Sequence, residues 1–449
     1  MNRIVGLVLI GIFMLLARMA FGDQVLFAEA DSTMSFGFLL LAAYLVGDVL
    51  AHFGIPRLTG YILAGIVFGP NLLGFVDEAV VLDLKLINDL ALTFIALAAG
   101  GELRLDELRQ RRKSIGLTVL FLMVFVFFGV GAFVVAARSL LPFLDGSTGQ
   151  LVAVAAIMGT FAVARSPSSA IAIISECKAR GPFTETVLGV TVLMDLLVII
   201  LFAVVVSFSQ VLIDPAGALD FRLIGVVLVE VVGSILGGIF LGMVISFYIR
   251  NIRAELIVFI LAMAFMVAFF SRQFAMLLDE LYSISLHLEP MLICVTAGFW
   301  VQNFSRGGEQ LMQRIDRSSL PIYVVFFALT GASLDIGALR QTWLVAVLLV
   351  GVRFALIWLG AFAGARLAGD PRPFHRLSGL SYVTQAGVSL GLAEIIARRF
   401  PEWGPALAVT VVAVITLNQI VGPVALKYAL GAVGEARARG GRGSPTPAG

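Results

Sequence analysis

One aspartate stands alone in the middle of an apolar run, Asp195 in VTVLMDLLVII. A charge near a bilayer centre costs at least about 2.5–3.5 kcal/mol on insertion scales, so each such residue asks for a reason. A carboxylate in a partly hydrated cavity can hold either a proton or a cation, and competition between them gives antiport. Thr191, one helical turn earlier, and Ser166 add hydroxyl oxygens, the ligand type that small hard cations prefer. Arg353, in LLVGVRFALIWLG, and Arg165, in GTFAVARSPSSAIAIISE, bring core basic charge. An arginine, with a pKa above about 12, does not give up its proton, so each is a fixed charge. Arg353 reads either as the balance for Asp195 or as an ordinary buried ion-pair partner, and Arg165 either as a site charge or as a cap on freed carbonyls. Glu230 and Glu394 are secondary acidic residues.

The segment that follows Arg165 interrupts itself. Ser166-Pro167-Ser168-Ser169 puts a proline and three hydroxyls inside an apolar stretch. Proline lacks a backbone donor and disfavours helix at the residue before it, so a helix there must bend or open. A second interruption runs from Ser381 to Ser389 and contains Gln385 and Gly387. Broken backbone at membrane depth survives only where it is buried in protein or lines a cavity. Paired interrupted segments in the two halves point to an inverted-repeat transporter with a midplane site. The bland alternatives are a structural kink at Pro167 and hydroxyls acting as helix-packing contacts.

The elements that must carry these residues are membrane helices. Apolar runs at 4–21, 34–53, 58–74, 84–100, 114–141, 150–175, 184–208, 222–249, 254–271, 287–302, 318–335, 340–366, 376–398 and 403–428 predict about fourteen spans. The interrupted segments are the sixth and thirteenth, an odd offset, which is what opposite orientation in the membrane requires. The run at 4–21 follows Asn2 and Arg3 as in a signal peptide, but Arg18 interrupts it and no A-x-A cleavage site follows. Basic residues cluster in alternate connections: Arg104–Lys113, Lys178 and Arg180, Arg250 and Arg253, Arg306–Arg317, Arg366–Arg376, and the tail from Lys427. The intervening loops 23–33, 75–83, 142–149 and 209–221 hold no Lys or Arg, so the positive-inside rule predicts both termini on the cytoplasmic side.

Composition closes off other classes. The 449 residues are 60% hydrophobic and only 13% charged, against about 25% charged for a soluble protein. Cys177 and Cys294 form no metal spacing, the three histidines are scattered, and no nucleophile–base constellation or HExxH motif occurs. No enzyme activity, cofactor or resident metal is expected. A net charge of +2 gives no basis for nucleic-acid binding.

Four stretches resemble a known family. Gly54-Ile55-Pro56 with Gly60-Tyr61-Ile62-Leu63-Ala64-Gly65 and Gly69-Pro70 is similar to its early signature, and Leu97–Leu103 to the end of the next helix. Ser166-Pro167 followed by Asp195 resembles its first helix break and ion-binding carboxylate. Pro321–Gly331, Leu334-Asp335, Arg353 and Gln385–Ser389 resemble the second half. The family is the monovalent cation:proton antiporter superfamily, antiporter-2 branch, with the sodium/hydrogen exchanger membrane domain.

The resemblance implies an all-α polytopic fold of 13–14 transmembrane helices in two inverted repeats, with two crossed broken helices. It implies an exchanger-like domain at 34–430, with repeats at about 34–208 and 222–430, preceded by residues 1–33 and followed by a disordered tail at 431–449. It further implies a homodimer in a bacterial-type inner membrane, exchanging Na⁺ or K⁺ for protons by an elevator-like movement. In that reading Asp195 is the shared ion and proton site, Arg353 the core basic residue, and Ser166, Pro167, Ser168, Gln385 and Gly387 the helix breaks. Two departures stand out. Met194 replaces the Asp or Asn that precedes the carboxylate in many relatives, which implies electroneutral exchange. Arg165 adds a second positive charge, which keeps open an anion or other proton-coupled carrier, or a sensor or assembly subunit without transport.

Overall fold

The computed structural model describes residues 11–12, 28–141, 147–213, 221–252, 255–282, 286, 288–385 and 388–436. The expected run at 4–21, Gly387, His287 and the tail beyond 436 therefore lie almost wholly outside the described residues. Among the described residues the secondary structure is helical throughout. We number the helices α1 (Ala28–His52), α2 (Arg57–Phe68), α3 (Lys85–Glu102), α4 (Leu105–Ala136), α5 (Thr148–Val163), α6 (Pro167–Cys177), α7 (Pro182–Ile213) and α8 (Phe221–Asn251). They continue as α9 (Leu256–Tyr282), α10 (Pro290–Phe304), α11 (Gly308–Ala332), α12 (Ile336–Ala368), α13 (Arg372–Leu377), α14 (Val388–Arg399) and α15 (Gly404–Val433). A 3-10 turn, Ser378–Tyr382, continues α13.

Every span expected from residue 34 onward is occupied by one of these helices, and the two interrupted spans are the two that split. Seven spans among the described residues are long and apolar enough to cross a membrane: six single helices and the interrupted pair α5–α6, Thr148–Cys177. The remainder are short, interrupted or charged at one end. Boundaries moved for local reasons. Helix α2 ends at Phe68 rather than 74, because Pro70 drives Gly69 into extended backbone. Helix α10 begins at Pro290, whose fixed φ suits the first helical turn. The basic stretch 104–113, expected as a loop, forms the opening turns of α4, with Asp106 and Glu107 favourable at its positive end.

Two bundles share the molecule. The first packs α4 against α12 and surrounds that pair with α5, α7 and α15, so that both helix breaks lie inside it. The second is built from α1, α2, α3, α9, α10 and α11, with α8 packed on α10 and touching α7 at the seam. The second bundle shows the inverted repeat most directly. Helix α2 crosses α11, and α3 crosses α10, each pair at a contact too close for side chains. A Cβ on Gly65 would stand 2.1 Å from the Ala328 carbonyl oxygen, and one on Gly331 2.2 Å from that of Ile62. At the other crossing, a Cβ on Gly100 would stand 1.9 Å from the Val295 oxygen and one on Gly298 2.1 Å from that of Leu97. Exchanging the two halves converts one crossing into the other, while α4 and α12 simply trade places.

Candidate functional site

The first helix break is written by its residues. Helix α5 stops at Val163, and Ser166 caps α6, its hydroxyl accepting from the Ser169 amide at 3.3 Å. Pro167 occupies the first turn of α6, where its missing N–H costs nothing. The Ser166 hydroxyl also donates to Ser169 Oγ at 2.9 Å and lies 3.2 Å from Ser168 Oγ. At the second break the 3-10 turn ends at Tyr382 and α14 resumes at Val388. Each break strands carbonyls at the negative end of a helix.

Arg353 joins the two breaks. It lies halfway along α12 and is 2% exposed. Its Nε donates to the Ala162 carbonyl at 2.9 Å and Nη2 to that of Ala164 at 3.0 Å, while Nη1 reaches Val383 at 2.8 Å. One guanidinium thus neutralises the negative ends of both interrupted helices. Arg165 meets the same carbonyls, its Nη1 donating to Ala162 and Ala164 at 3.1 and 3.2 Å. Gln385 fastens the breaks further. Its Nε2 donates to the Phe161 carbonyl at 2.6 Å, and its Oε1 accepts from Asn418 Nδ2 on α15 at 3.0 Å. Beside this junction lies a small, mostly apolar cavity of about 20 Å³, bounded by Val130, Met158, Phe161, Leu349, Arg353 and Gln385.

Asp195 belongs to a different surface. It sits on α7, the helix of the first bundle that also touches α8, and is buried but for a 9% residue exposure. It forms no hydrogen bond or ion pair among the described residues, so neither arginine holds it. Glu289, the residue just before α10 in the second bundle, is close enough for its charge to act on Asp195. The Glu289 amide donates to Ser234 Oγ on α8 at 2.9 Å. Glu230, half-buried, precedes Ser234 by one turn on the same face of α8. Thr191 is buried one turn before Asp195 on α7 and donates to its own helix at Val187, 2.7 Å, which leaves its oxygen able to accept or ligate. Glu394 is elsewhere: it is exposed on α14 and paired with Arg398.

The sequence reading therefore named residues that fall into two groups, one binding the helix breaks together and one around the seam. Glu289, Asn418, Gln419 and Tyr382 were not among its site residues. Gln419 accepts from Ser169 Oγ at 3.4 Å and so ties α15 to α6. The available signal was Asn418-Gln419, two adjacent amides inside an apolar run. No cluster of three His, Cys, Asp or Glu among the described residues could hold a metal ion.

A helical membrane protein whose two interrupted helices are fastened to one another, with a buried carboxylate left unpaired among the described residues, is built as a transporter. The chain belongs to the sodium/hydrogen exchanger, transmembrane, family, whose model matches residues 36–430. It is 25% identical over 422 residues to the Na⁺/H⁺-K⁺ antiporter GerN of Bacillus cereus, covering 90% of this chain and 97% of that one. It is 24% identical to the probable Na⁺/H⁺ antiporter GerT of the same organism, covering 79% and 88% of the two chains. The probable Na⁺/H⁺ antiporter 3 of Methanocaldococcus jannaschii is likewise 24% identical, over 88% and 95%. The fold is similar to that of the sodium proton antiporter MjNhaP1 from M. jannaschii, with a TM-score of 0.70 at 17% identity, over 93% of this chain and all of that one. A second structure of that protein, at pH 8, gives 0.64 at 15% identity, over 90% and 98%. The protein is thus an integral membrane transporter of this family and not an enzyme.

Proposed function

We propose that the protein exchanges a monovalent cation, Na⁺ or K⁺, for a proton, with Asp195 as the site both compete for. The observation that carries this reading is the state of Asp195: buried at the seam, yet free of any ion-pair partner among the described residues. A carboxylate held by arginine would be locked ionised and unable to take up a proton. One left to water and passing cations can alternate. Thr191, one turn away, is positioned to add an oxygen. The charge of Glu289 acts on Asp195 from α10, and a second acid beside the site favours cations over anions there. With a single carboxylate at the site and Met194 before it, one proton leaves for each cation bound, and exchange is electroneutral.

The two-bundle division supports an elevator-like movement. The first bundle carries Asp195 and both breaks, bound together by Arg353 and Gln385, so it can shift as a unit against the second. The glycine crossings tie the second bundle together internally. On this reading the basic segments face the cytoplasm of a bacterial-type inner membrane, and the working form is a homodimer in the lipid bilayer. The test is purified protein in liposomes carrying a pH gradient. Addition of Na⁺ or K⁺ salts should dissipate the gradient, and changing the anion should not. A gradient indifferent to every cation, or one that follows the anion, would sink the proposal.

A further inference from the structure

Arg165 uses only part of its hydrogen-bonding capacity. The side chain is 1% exposed, and its Nη1 serves the Ala162 and Ala164 carbonyls. Its Nε and Nη2 have no partner among the described residues. Those two nitrogens share one edge of the guanidinium and point their N–H bonds side by side, the arrangement that grips an anion bidentately. Tyr382, also 1% exposed, lies within electrostatic reach of this guanidinium, and its hydroxyl likewise has no partner among the described residues. The hydroxyls of Ser378 and Ser381, three residues apart on the same 3-10 turn, are in the same condition.

Buried polar groups are almost always paired, and a buried charged donor is the costliest to leave unpaired. Charge balance sharpens the point. Arg165 and Arg353 meet at the same two carbonyls, and neither has a carboxylate partner among the described residues. The amides at the start of α6, beginning two residues beyond Arg165, add further positive potential. The protein's own nearby acid is already engaged. Asp370 accepts from Arg111 Nη2 at 2.7 Å and from Ser114 Oγ at 2.8 Å.

We infer that the unpaired edge of Arg165, with the Tyr382 hydroxyl, binds one small monovalent anion, a halide or a carboxylate-type oxyanion, held resident in the first bundle. This anion is not cargo. It balances two like charges placed on shared carbonyls and so stabilises the junction of the helix breaks. The inference stands apart from the proposed exchange and would hold if the chain moved no cation.

The test is equilibrium dialysis of the full chain in detergent against radioactive chloride in gluconate buffer, with formate and bicarbonate as competitors. Saturable chloride binding, stoichiometric with the chain, is expected, and the stronger competitor separates the halide from the oxyanion case. Arg165→Lys keeps the charge but removes the bidentate edge, and Tyr382→Phe removes the hydroxyl; each should weaken binding about ten-fold. Melting temperature should rise with chloride in the wild type and respond less in both variants. Absence of saturable binding by chloride and by both competitors overturns the inference. Binding unchanged in both variants does so too, leaving Arg165 as a cap on carbonyls alone. Arg165→Gln extends the series, and if it fails to fold the two milder variants still decide.

Discussion

Asp195 and Arg353 are opposite charges at similar depth, and the structure gives them different work. Arg353 has all three guanidinium nitrogens on backbone carbonyls of the two breaks. Replacing it with Met should strand the Val383 carbonyl at about 1–3 kcal/mol and leave those of Ala162 and Ala164 to Arg165 alone, so Arg353→Met should lower the melting temperature. Asp195→Asn removes a charge that nothing among the described residues pairs, so its thermal unfolding in detergent should match or exceed that of the wild type. Asp195, Arg353 and Arg165 were legible in the sequence because a charge in an apolar run is costly and therefore conspicuous. Their partners were not. The expectation that an arginine balances Asp195 came from charge alone, and charge does not tell which carbonyls lie within reach. Tyr382, Asn418 and Gln419 were hidden because amides and hydroxyls in membrane helices usually serve packing.

At the scale of elements, two helices begin on carboxylates from distant parts of the chain. Glu435, just past α15, accepts from the amides of Phe183 and Thr184 at 2.8 Å each and from Thr184 Oγ1 at 2.7 Å, capping α7, which carries Asp195. Glu176, in the last turn of α6, accepts from the Arg57 amide at 3.0 Å and caps α2. Glu435→Gln keeps the shape and loses the charge, and should cost about 1–2 kcal/mol, read as a lower melting temperature. The glycine crossings make a second prediction. Gly65→Ala and Gly298→Ala each force backbone apart and should each destabilise by about 1–3 kcal/mol, near-additively in the double variant because the crossings are separate. Span positions could be read from hydropathy, the first break from Pro167 and the second from the polar stretch around Gln385 and Gly387. The caps could not, since Glu435 and Glu176 lie far in sequence from the amides they serve. The helical start of α4 was also missed, because positive charge marks a membrane edge whether or not the backbone there is helical.

For the whole molecule, inverted symmetry was visible as an odd offset between two interrupted spans. Which helices touch was not, because hydropathy fixes depth and says nothing of neighbours. The exchange of the α2–α11 crossing for the α3–α10 crossing supplies that missing information. In the proposed mechanism a proton and a cation exclude one another at Asp195. A protonated Asp195 has no charge to offer a cation, so apparent cation affinity should fall as pH drops. Below the carboxyl's own pKa the apparent KM should rise about ten-fold per pH unit, while maximal rate at saturating cation changes less. A KM flat across the whole pH range would mean that proton and cation use different groups.

That competition can be observed without transport. Cation binding to wild-type protein in weakly buffered detergent solution should release protons, close to one for each Na⁺ or K⁺ bound when Asp195 starts protonated. Asp195→Asn, folded as well as the wild type, should release none and should show no cation-driven dissipation of a pH gradient in liposomes. Proton release or exchange in Asp195→Asn equal to that of the wild type would contradict the account.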